Sequence, residues 1–283
     1  ASDVLVHTAL AWQLDRHLEQ VGVRTAPLPR SGVMFVRAGS PASLAATRWR
    51  PRNPDAPVTN MIRLRRGRHR TPRSCQVRLP TVSAPAPAAI ARHPHLAEPL
   101  PAGWVRVDMH SHTMWSGDST TTPDEIEQAV AESGLDVLCI TDHHAIRGAQ
   151  QLAPRLAALG CRVIVGEELR THHGEIIGLF LRERLPHGMA SAEAAAAVRA
   201  QGGLVYVPHP FDPTKRNLAE QALVALVGAG LVDAVEVLNA KIALPGLDTR
   251  AAAFAAGHDL APGAGSDGHV PDALGAAYMV MPD

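Results

Sequence analysis

Residues Val105–Ser119 read V-R-V-D-M-H-S-H-T-M-W-S-G-D-S, an alternating apolar segment that runs into two histidines and two aspartates. In an extended strand, side chains at alternate positions share a face, so Asp108, His110 and His112 would point the same way. Imidazole nitrogen and carboxylate oxygen together suit a divalent cation such as zinc, manganese or iron. A metal site is therefore one interpretation of this stretch, and a histidine pair on a solvated strand is the other.

The composition divides the chain into two chemically different parts. Residues 1–100 contain 15 arginines, no lysine and 5 acidic residues, whereas the remainder contains 12 basic and 22 acidic residues. No run of about 18 apolar residues and no signal-peptide pattern is present, so we expect a soluble cytoplasmic protein with no membrane partner. Cys75, Cys139 and Cys161 lack the C-x-x-C spacing and are interpreted as buried, reduced thiols.

The first 100 residues give little indication of a packed fold. Apolar spacing predicts a helix at about Val4–Gln20, after which 12 prolines occur between residues 24 and 100. Such a segment buries too little apolar surface to offset its ordering entropy. We predict an Arg/Pro-rich extension that is mostly disordered or irregular. Nucleic-acid binding through its arginines is the alternative, disfavoured because no aromatic stacking residue interrupts the arginine run at 63–73.

From Trp104 onward, short apolar runs alternate with helical stretches. One helix start is legible at Thr122–Glu125, with a capping hydroxyl, a proline at the first helical position and a glutamate at the third. Apolar strands separated by helices indicate a parallel sheet, and seven or eight such units favour a closed or nearly closed barrel. The predicted strands are Val105–Met109, Val137–Ile140, Arg162–Val165, Ile176–Leu181, Leu204–Val207, Ala234–Leu238, Leu260–Ala264 and Tyr278–Met281.

Ligand-type side chains follow almost every predicted strand. Because functional sites of such barrels lie at the C-terminal ends of the strands, these side chains should meet at one mouth. Glu175 differs, since it begins its strand and follows His172 and His173. The side chains after strand ends are His110, His112, Asp118, Asp142, His143, His144, Glu167, Glu168, His209, Asp267 and His269.

Seven motifs occur in one order along residues 104–283. They are D-x-H-x-H at 108–112, S-x-D-S at 116–119, T-D-H-H at 141–144, G-x-E at 166–168, G-E-I-I-G-L-F-L at 174–181, G-G-L-V-Y-V-P-H-P at 202–210 and G-S-D-G-H at 265–269. This set resembles the polymerase and histidinol phosphatase (PHP) domain of metal-dependent phosphoesterases. The resemblance implies a distorted seven-stranded (β/α) barrel, TIM-like, with two or three divalent ions (Mn, Zn or Fe) at its mouth.

Carried over residue by residue, the resemblance implies neighbouring ion sites built from histidines and carboxylates. Their ligands would be His110, His112, Glu168 and Asp267 for the first ion, Glu168 and His209 for the second, and Asp118, His143 and His269 for the third.

Five residues on and beside the strand after Arg162 need separate treatment. Glu175 stands where many relatives have histidine, so we expect it to hold the second ion through oxygen or to leave that ion weakly bound. His172 and His173 are alternative donors, although histidines on an exposed turn are usually solvated. Adjacent strand residues point in opposite directions, so only one of Glu167 and Glu168 can face the site, and the family spacing G-x-E selects Glu168.

The remaining aspartates have different expected roles. Asp118 takes a position that is histidine in some relatives and should still bind, because carboxylate oxygen suits the same ions. Asp108 and Asp142 are expected to orient histidines through their carboxylates. Simple capping is an equal alternative for Asp142.

Such a site suits hydrolysis of a phosphate ester of a small metabolite, nucleotide or short oligonucleotide. Bound metal lowers the pKa of water to about 7 and stabilises phosphoryl charge. We expect a metal-activated hydroxide near Glu168 to attack the phosphate ester, and the leaving oxygen to be protonated by bound water or by His144. Arg216 and Lys241 are candidate phosphate contacts, and solvated surface charges are the alternative for both. For Lys215 the solvated alternative is favoured. Replacing Arg216 with alanine should then raise the KM for a phosphomonoester.

Two other functions fit the same residues. An amide or carbamate hydrolase could use the same activated water on a carbonyl, although neither lysine lies in a core strand to serve as a carboxylated ligand. A non-catalytic metal-binding regulatory barrel with a nucleic-acid-binding arm is the second, and the nearly complete ligand set argues against it. Because the chain ends just after the strand at Tyr278–Met281, we also expect a truncated C-terminus.

Overall fold

The computed structural model describes residues 99–283 in full and the backbone of residues 5–6 and 33–37. Between residues 104 and 283 there are eight strands, β3 (Trp104–Ser111), β4 (Val137–Ile140), β5 (Arg162–Thr171), β6 (Gly174–Leu179), β7 (Leu204–Val207), β8 (Ala234–Asn239), β9 (Ala261–Gly265) and β10 (Ala277–Pro282). They form a sheet in the order β10-β3-β4-β5-β6-β7-β8-β9. The helices of the same segment are α1 (Pro123–Ser133), α2 (Arg147–Ala157), α3 (Ser191–Ala200), α4 (Glu220–Gly228) and α5 (Leu247–Gly257), with a 3₁₀ turn at Pro271–Ala273.

The sheet curls into a nearly closed barrel. The β3-β4-β5 pairs and the β7-β8-β9 pairs are parallel, whereas β6 runs antiparallel to both of its neighbours and β10 antiparallel to β3. A bridge between Ser111 and Gly268 joins the first and last parallel strands at one end. The predicted α/β barrel is confirmed. It has eight strands, one more than the family resemblance implies, because β10 returns beside β3.

The hairpin of β5 and β6 departs from the predicted strand bounds. The apolar run of β5 ends at Val165, but the strand continues to Thr171 because β6 pairs with it from Gly166↔Leu179 to Thr171↔Gly174. Since β6 is antiparallel, its beginning lies beside the end of β5. The start of β6 therefore reaches the same mouth as the ends of the parallel strands.

Apolar residues on both faces of the strands bury the sheet. In β4, Val137 and Cys139 belong to a large cluster that also contains residues of α3, α4 and α5, while Leu138 and Ile140 pack with α1 and α2. Alternating side chains of one strand thus fill two apolar layers, which is why the strand is apolar without interruption.

Helix α1 begins as predicted. The Glu125 backbone N–H donates to the Thr122 hydroxyl at 3.4 Å, and the Thr122 N–H donates to the Glu125 carboxylate at 2.8 Å. Gly134 ends the helix with a left-handed φ of 66°. This capping box fixes the point at which the loop carrying Asp118 returns to the barrel wall.

Two short strands from the N-terminal part are described. Strand β1 (Leu5–Val6) pairs with β2 (Val33–Arg37), and β2 pairs antiparallel with β10. The predicted helix is therefore wrong at Leu5–Val6, and the rest of Val4–Gln20 lies outside the described residues. Most of the segment predicted to be disordered, including the arginine run and Cys75, also lies outside them, so those expectations and the domain division near residue 100 stay predictions.

Cys139 and Cys161 are buried free thiols, as expected. Burial raises the pKa of the Cys161 thiol to about 12. Within the part of the chain that the structure describes, no helix combines the length and apolar character needed to cross a membrane.

Candidate metal centre

The mouth of the barrel gathers nine histidine and carboxylate side chains into four overlapping groups whose donor atoms lie within 4.8 Å of one another. The groups are His112, Asp118, His143 and His269; His110, Glu168 and His209; His110, His112 and Asp267; and His143, Glu168 and Glu175. These are the nine residues that the sequence predicts as ligands.

Glu168 lies at the centre of this cluster, and its side chain is 1% exposed. Its Oε2 is 3.3 Å from His110 Nε2 and 3.2 Å from His112 Nε2. Its Oε1 is 3.1 Å from His209 Nε2, and its Oε2 is 3.5 Å from His143 Nδ1. One carboxylate thus contacts imidazoles from β3, from the loop after β4 and from the loop after β7.

Asp267 closes the cluster on the β9 side. Its Oδ1 is 3.5 Å from His112 Nε2 and 3.8 Å from His110 Nε2. Asp267 has a left-handed φ of 50°, and its backbone N–H donates to the His110 carbonyl at 2.7 Å. This hydrogen bond between neighbouring strand ends holds the strained conformation in place.

Gly265, two residues before Asp267, allows β9 to approach β3. A Cβ at this position would lie 2.4 Å from the His110 Cβ and 2.7 Å from its backbone N. Only glycine fits this approach. Asp267 is thereby brought to the imidazoles of β3.

Asp118, His143 and His269 form the more exposed side of the cluster. Asp118 Oδ2 is 3.2 Å from His143 Nε2, and its Oδ1 is 3.5 Å from His269 Nε2. Burial lowers the pKa of His143 to about 4. Its imidazole is therefore neutral at neutral pH, which is the form that binds a metal.

Glu175 enters the cluster from the start of β6. Its Oε2 is 3.7 Å from His209 Nε2 and its Oε1 is 3.9 Å from His143 Nδ1. Burial and the neighbouring Glu168 carboxylate raise the pKa of Glu175. His172 and His173 do not join it, because both are exposed and His173 Nδ1 lies 3.1 Å from the Ser191 hydroxyl.

The donor set fits divalent metal ions. The Nε2 atoms of His110 and His112 are buried and only 3.1 Å apart, an arrangement suited to a shared cation. Burial would lower the pKa of His110, but the carboxylates of Glu168, Asp267 and Glu236 raise it well above its ordinary value. The cluster therefore favours additional positive charge at its centre, which metal ions would supply.

Glu236 in β8 contacts the cluster from behind, and the sequence did not lead us to predict it. Its Oε1 is 3.1 Å from His110 Nδ1, and its Oε2 accepts the His209 backbone N–H at 2.6 Å and the Asn239 side-chain amide at 2.9 Å. The available signal was a single charged residue within the apolar run A-V-E-V-L. Glu236 orients the imidazole of His110 from behind the cluster.

The orienting role predicted for Asp108 is wrong in its detail. Asp108 accepts backbone N–H groups of His110, Ser266 and Gly275 at 3.2, 2.9 and 3.1 Å, so it fixes the main chain rather than an imidazole. Burial raises its pKa to about 6. Asp142 similarly accepts from the backbone and the hydroxyl of Thr113, at 2.6 and 2.7 Å.

Two neighbours of the expected ligands point elsewhere. Glu167 accepts the Leu185 N–H at 2.9 Å, and burial raises its pKa to about 7, so Glu168 alone of the pair contacts the cluster. The His144 ring lies 4.3 Å from the His187 ring, and its Nε2 accepts the Arg170 N–H at 3.4 Å. Burial lowers the pKa of His144 to about 4, and its role as a proton donor stays a prediction.

Basic side chains border the cluster. Among them are Lys215 and Lys241, whereas the sequence predicted Arg216 and Lys241. Lys215 Nζ is 2.6 Å from Asp267 Oδ2, although the sequence favoured a solvated lysine there. Lys241 Nζ is 3.0 Å from His269 Nδ1 and 3.5 Å from Asp267 Oδ1, in keeping with its predicted position. The Arg216 side chain is exposed, and its carbonyl accepts the Glu175 N–H at 2.8 Å.

Comparison with known proteins identifies related chains. A model of the PHP domain family matches residues 108–227, and a model described as PHP-associated matches residues 248–283. An uncharacterized protein of Methanocaldococcus jannaschii is 36% identical in an alignment 146 residues long that covers 48% of this chain and 82% of that protein. A second uncharacterized protein of the same organism is 33% identical over 177 residues, which are 62% of this chain and 70% of that protein.

Solved structures share the fold. A two-domain protein from Bacteroides vulgatus containing a predicted PHP-like metal-dependent phosphoesterase superposes with a TM-score of 0.52 at 22% identity. That match covers 61% of this chain and 55% of the other chain, so this chain spans about half of its length. An amidohydrolase from Chromobacterium violaceum, solved with bound sulfate and no metal, superposes with a TM-score of 0.50 at 18% identity, covering 60% and 90% of the two chains.

Proposed function

This chain belongs to the PHP domain family, and from that premise we propose that it is a metal-dependent phosphoesterase acting on a small metabolite, nucleotide or short oligonucleotide. The observation that carries the proposal is the position of Glu168, whose carboxylate lies within 3.5 Å of imidazoles from three separate elements. A buried carboxylate shared by several imidazoles is an arrangement suited to adjacent divalent ions.

The four donor groups suggest how the ions would be held. The residues proposed for the first ion are His110, His112, Asp267 and Glu168; for the second, Glu168, His209 and Glu175; and for the third, Asp118, His143 and His269. When bound, these ions would lower the pKa of water and stabilise charge on a phosphoryl oxygen.

The basic residues at the mouth would bind and orient the substrate. Lys215 and Lys241 both approach Asp267, so their ammonium groups lie at the edge of the proposed first and third sites. Each offers a point charge to a phosphoryl oxygen. Arg216 remains a candidate only for an outer part of the substrate, since its side chain is exposed.

A substrate panel tests the proposal. Metal-free protein should be assayed with Mn²⁺ or Zn²⁺ against a phosphomonoester, a phosphodiester, a carboxylic ester and an amide, and again after chelation. We expect metal-dependent hydrolysis of a phosphate ester that chelation abolishes. Hydrolysis of the amide alone would favour an amide hydrolase, and metal binding without any turnover would favour a regulatory barrel.

Variants at the cluster connect the activity to this site. His110→Ala should abolish metal-dependent hydrolysis, and full activity in that variant would contradict the assignment. Because His110 is fully buried, Asp118→Asn provides a second test at a side chain that is 41% exposed and whose replacement preserves packing. His258→Ala, at an exposed position after α5, is the matched control and should retain activity.

A further inference from the structure

Arg170 in β5 is directly paired with Glu175 in β6. In an antiparallel pair, directly opposite residues project from the same face of the sheet. Glu168 lies two residues before Arg170 on the same strand and shares that face. The hairpin register therefore brings one arginine and two carboxylates together at the mouth.

The Arg170 side chain contacts carboxylates on both sides of it. Its Nε lies 3.1 Å from Glu175 Oε1, and its Nη2 lies 3.6 Å from Asp118 Oδ2. Arg170 is 41% exposed, whereas the Glu175 side chain is 5% exposed. The guanidinium thus holds one oxygen of Glu175 from the solvent side, while the other oxygen faces His209 at 3.7 Å.

The donor groups at the two sides of the cluster differ in composition. The residues proposed for the second ion, Glu168, Glu175 and His209, supply two carboxylates and one imidazole, whereas the group around Asp118 supplies three imidazoles and one carboxylate. Carboxylate oxygen suits harder ions such as Mn²⁺, and imidazole suits Zn²⁺. The side that contains Glu175 should therefore have the higher relative preference for Mn²⁺.

We propose that Arg170 is a positioning residue that fixes Glu175 as an oxygen ligand and so gives this side of the centre its relative preference for Mn²⁺ over Zn²⁺. The inference rests on the metal binding assumed in the proposed function. It assigns a role to the ion pair of Arg170 and Glu175, although Arg170 lies outside the motifs that supply the expected ligands. Arg170 acts on the metal preference through Glu175, so its removal should change the ratio of Mn²⁺ to Zn²⁺ affinity at this side only while Glu175 is present.

The experiment measures metal binding rather than turnover. Metal-free protein is dialysed against a concentration series of Mn²⁺ or Zn²⁺, and bound ions per chain are counted by mass spectrometry. Arg170→Met should weaken the Mn²⁺ site about tenfold, because loss of a group that orients a ligand typically weakens metal binding 10–100-fold. Arg170→Lys should restore part of the loss, since it keeps the charge without the planar fork.

Substitution of Glu175 tests the preference itself. Glu175→His should shift the ratio of Mn²⁺ to Zn²⁺ affinity about tenfold toward Zn²⁺. In the Glu175→His background, Arg170→Met should have no further effect on that ratio, which a double-mutant cycle would show. Arg155→Met is the matched control. Arg155 lies in the last turn of α2 and pairs with Asp124 of α1, so this variant should leave both affinities unchanged.

The outcomes separate the two proposals. Unchanged or tighter Mn²⁺ binding in Arg170→Met, or an equal loss with and without Glu175, would overturn the positioning role. Folding of each variant is checked by chemical unfolding in chelator, with Arg170→Gln as a replacement for a variant that unfolds. If the variants show the expected changes in Mn²⁺ and Zn²⁺ affinity but the protein hydrolyses no phosphate ester, this inference is supported and the proposed function is contradicted.

Discussion

Glu236 allows the orientation of a ligand to be tested separately from the folding of the protein. Its carboxylate is 1% exposed and serves three donors, His110 Nδ1, the His209 backbone N–H and the Asn239 side-chain amide. Glu236→Ala would leave all three without this acceptor. Because each buried donor left unpaired costs roughly 1–3 kcal/mol, the free energy of unfolding should fall by about 3 kcal/mol or more.

Glu236→Gln should behave differently. The glutamine oxygen should replace Oε2, because that orientation keeps the bonds from both His209 and Asn239. Its amide NH₂ would then face His110 Nδ1, which has to accept the hydrogen bond. The proton of His110 would move to Nε2, the atom that faces Glu168 and the proposed first ion.

The expected result is a large loss of metal affinity with a small loss of stability. In Glu236→Gln the bonds from His209 and Asn239 survive and only the interaction with His110 is weakened, so the free energy of unfolding in chelator should fall by about 1–2 kcal/mol, less than in Glu236→Ala. Metal affinity should fall about 10–100-fold, the usual effect of losing the group that orients a ligand. Chemical unfolding and calorimetric metal titration measure the two quantities.

Two results would refute this reasoning. Wild-type metal affinity in Glu236→Gln would show that the proton on His110 is not controlled from β8. A loss of stability equal to that of Glu236→Ala would show that the glutamine does not preserve the hydrogen bonds. Glu220→Gln is the control, since Glu220 is 58% exposed and pairs with Arg250 away from the cluster.

Three further predictions address a buried acid, a close backbone approach and a basic side chain. Burial raises the pKa of Glu167 to about 7, so the protonated carboxyl contributes stability below pH about 4.5, and this contribution is lost as pH rises through about 7. In chelator, the free energy of unfolding of Glu167→Gln relative to wild type should therefore increase between pH about 5 and about 8. A pH-independent difference would contradict this. Gly265→Ala should lower the free energy of unfolding by about 1–3 kcal/mol, because its Cβ would lie 2.4 Å from the His110 Cβ. Gly228→Ala is the control, since a Cβ there would meet nothing within 4 Å. Equal unfolding midpoints of the two variants in urea would contradict the prediction. Lys241→Ala should raise the KM for a phosphomonoester about tenfold with kcat little changed, and steady-state kinetics showing the same KM would exclude the contact.

Local sequence was sufficient for the parts of the fold that depend on near neighbours. The strands Val137–Ile140 and Leu204–Val207 and the capping box of α1 follow from apolar runs and capping residues, and the structure contains them. Alternation along a strand shows that only one of Glu167 and Glu168 can face the mouth, and the spacing of the family motif G-x-E indicated that it is Glu168. By contrast, the apolar run of β5 did not predict that the strand extends to Thr171, because the extension depends on pairing with β6.

The sequence by itself determined the family, the barrel and the side chains that gather at its mouth, because these depend on motifs and on the rule that parallel strands end at one mouth. Only the tertiary structure decided what holds those donors in place. His110 and Glu236 are 126 positions apart and meet because the barrel closes, and Arg170 faces Glu175 because of the register of one hairpin. Asp267 is near Lys215 only through the folding of separate loops. Contacts of this kind depend on packing between distant segments, for which a single sequence carries no local signal.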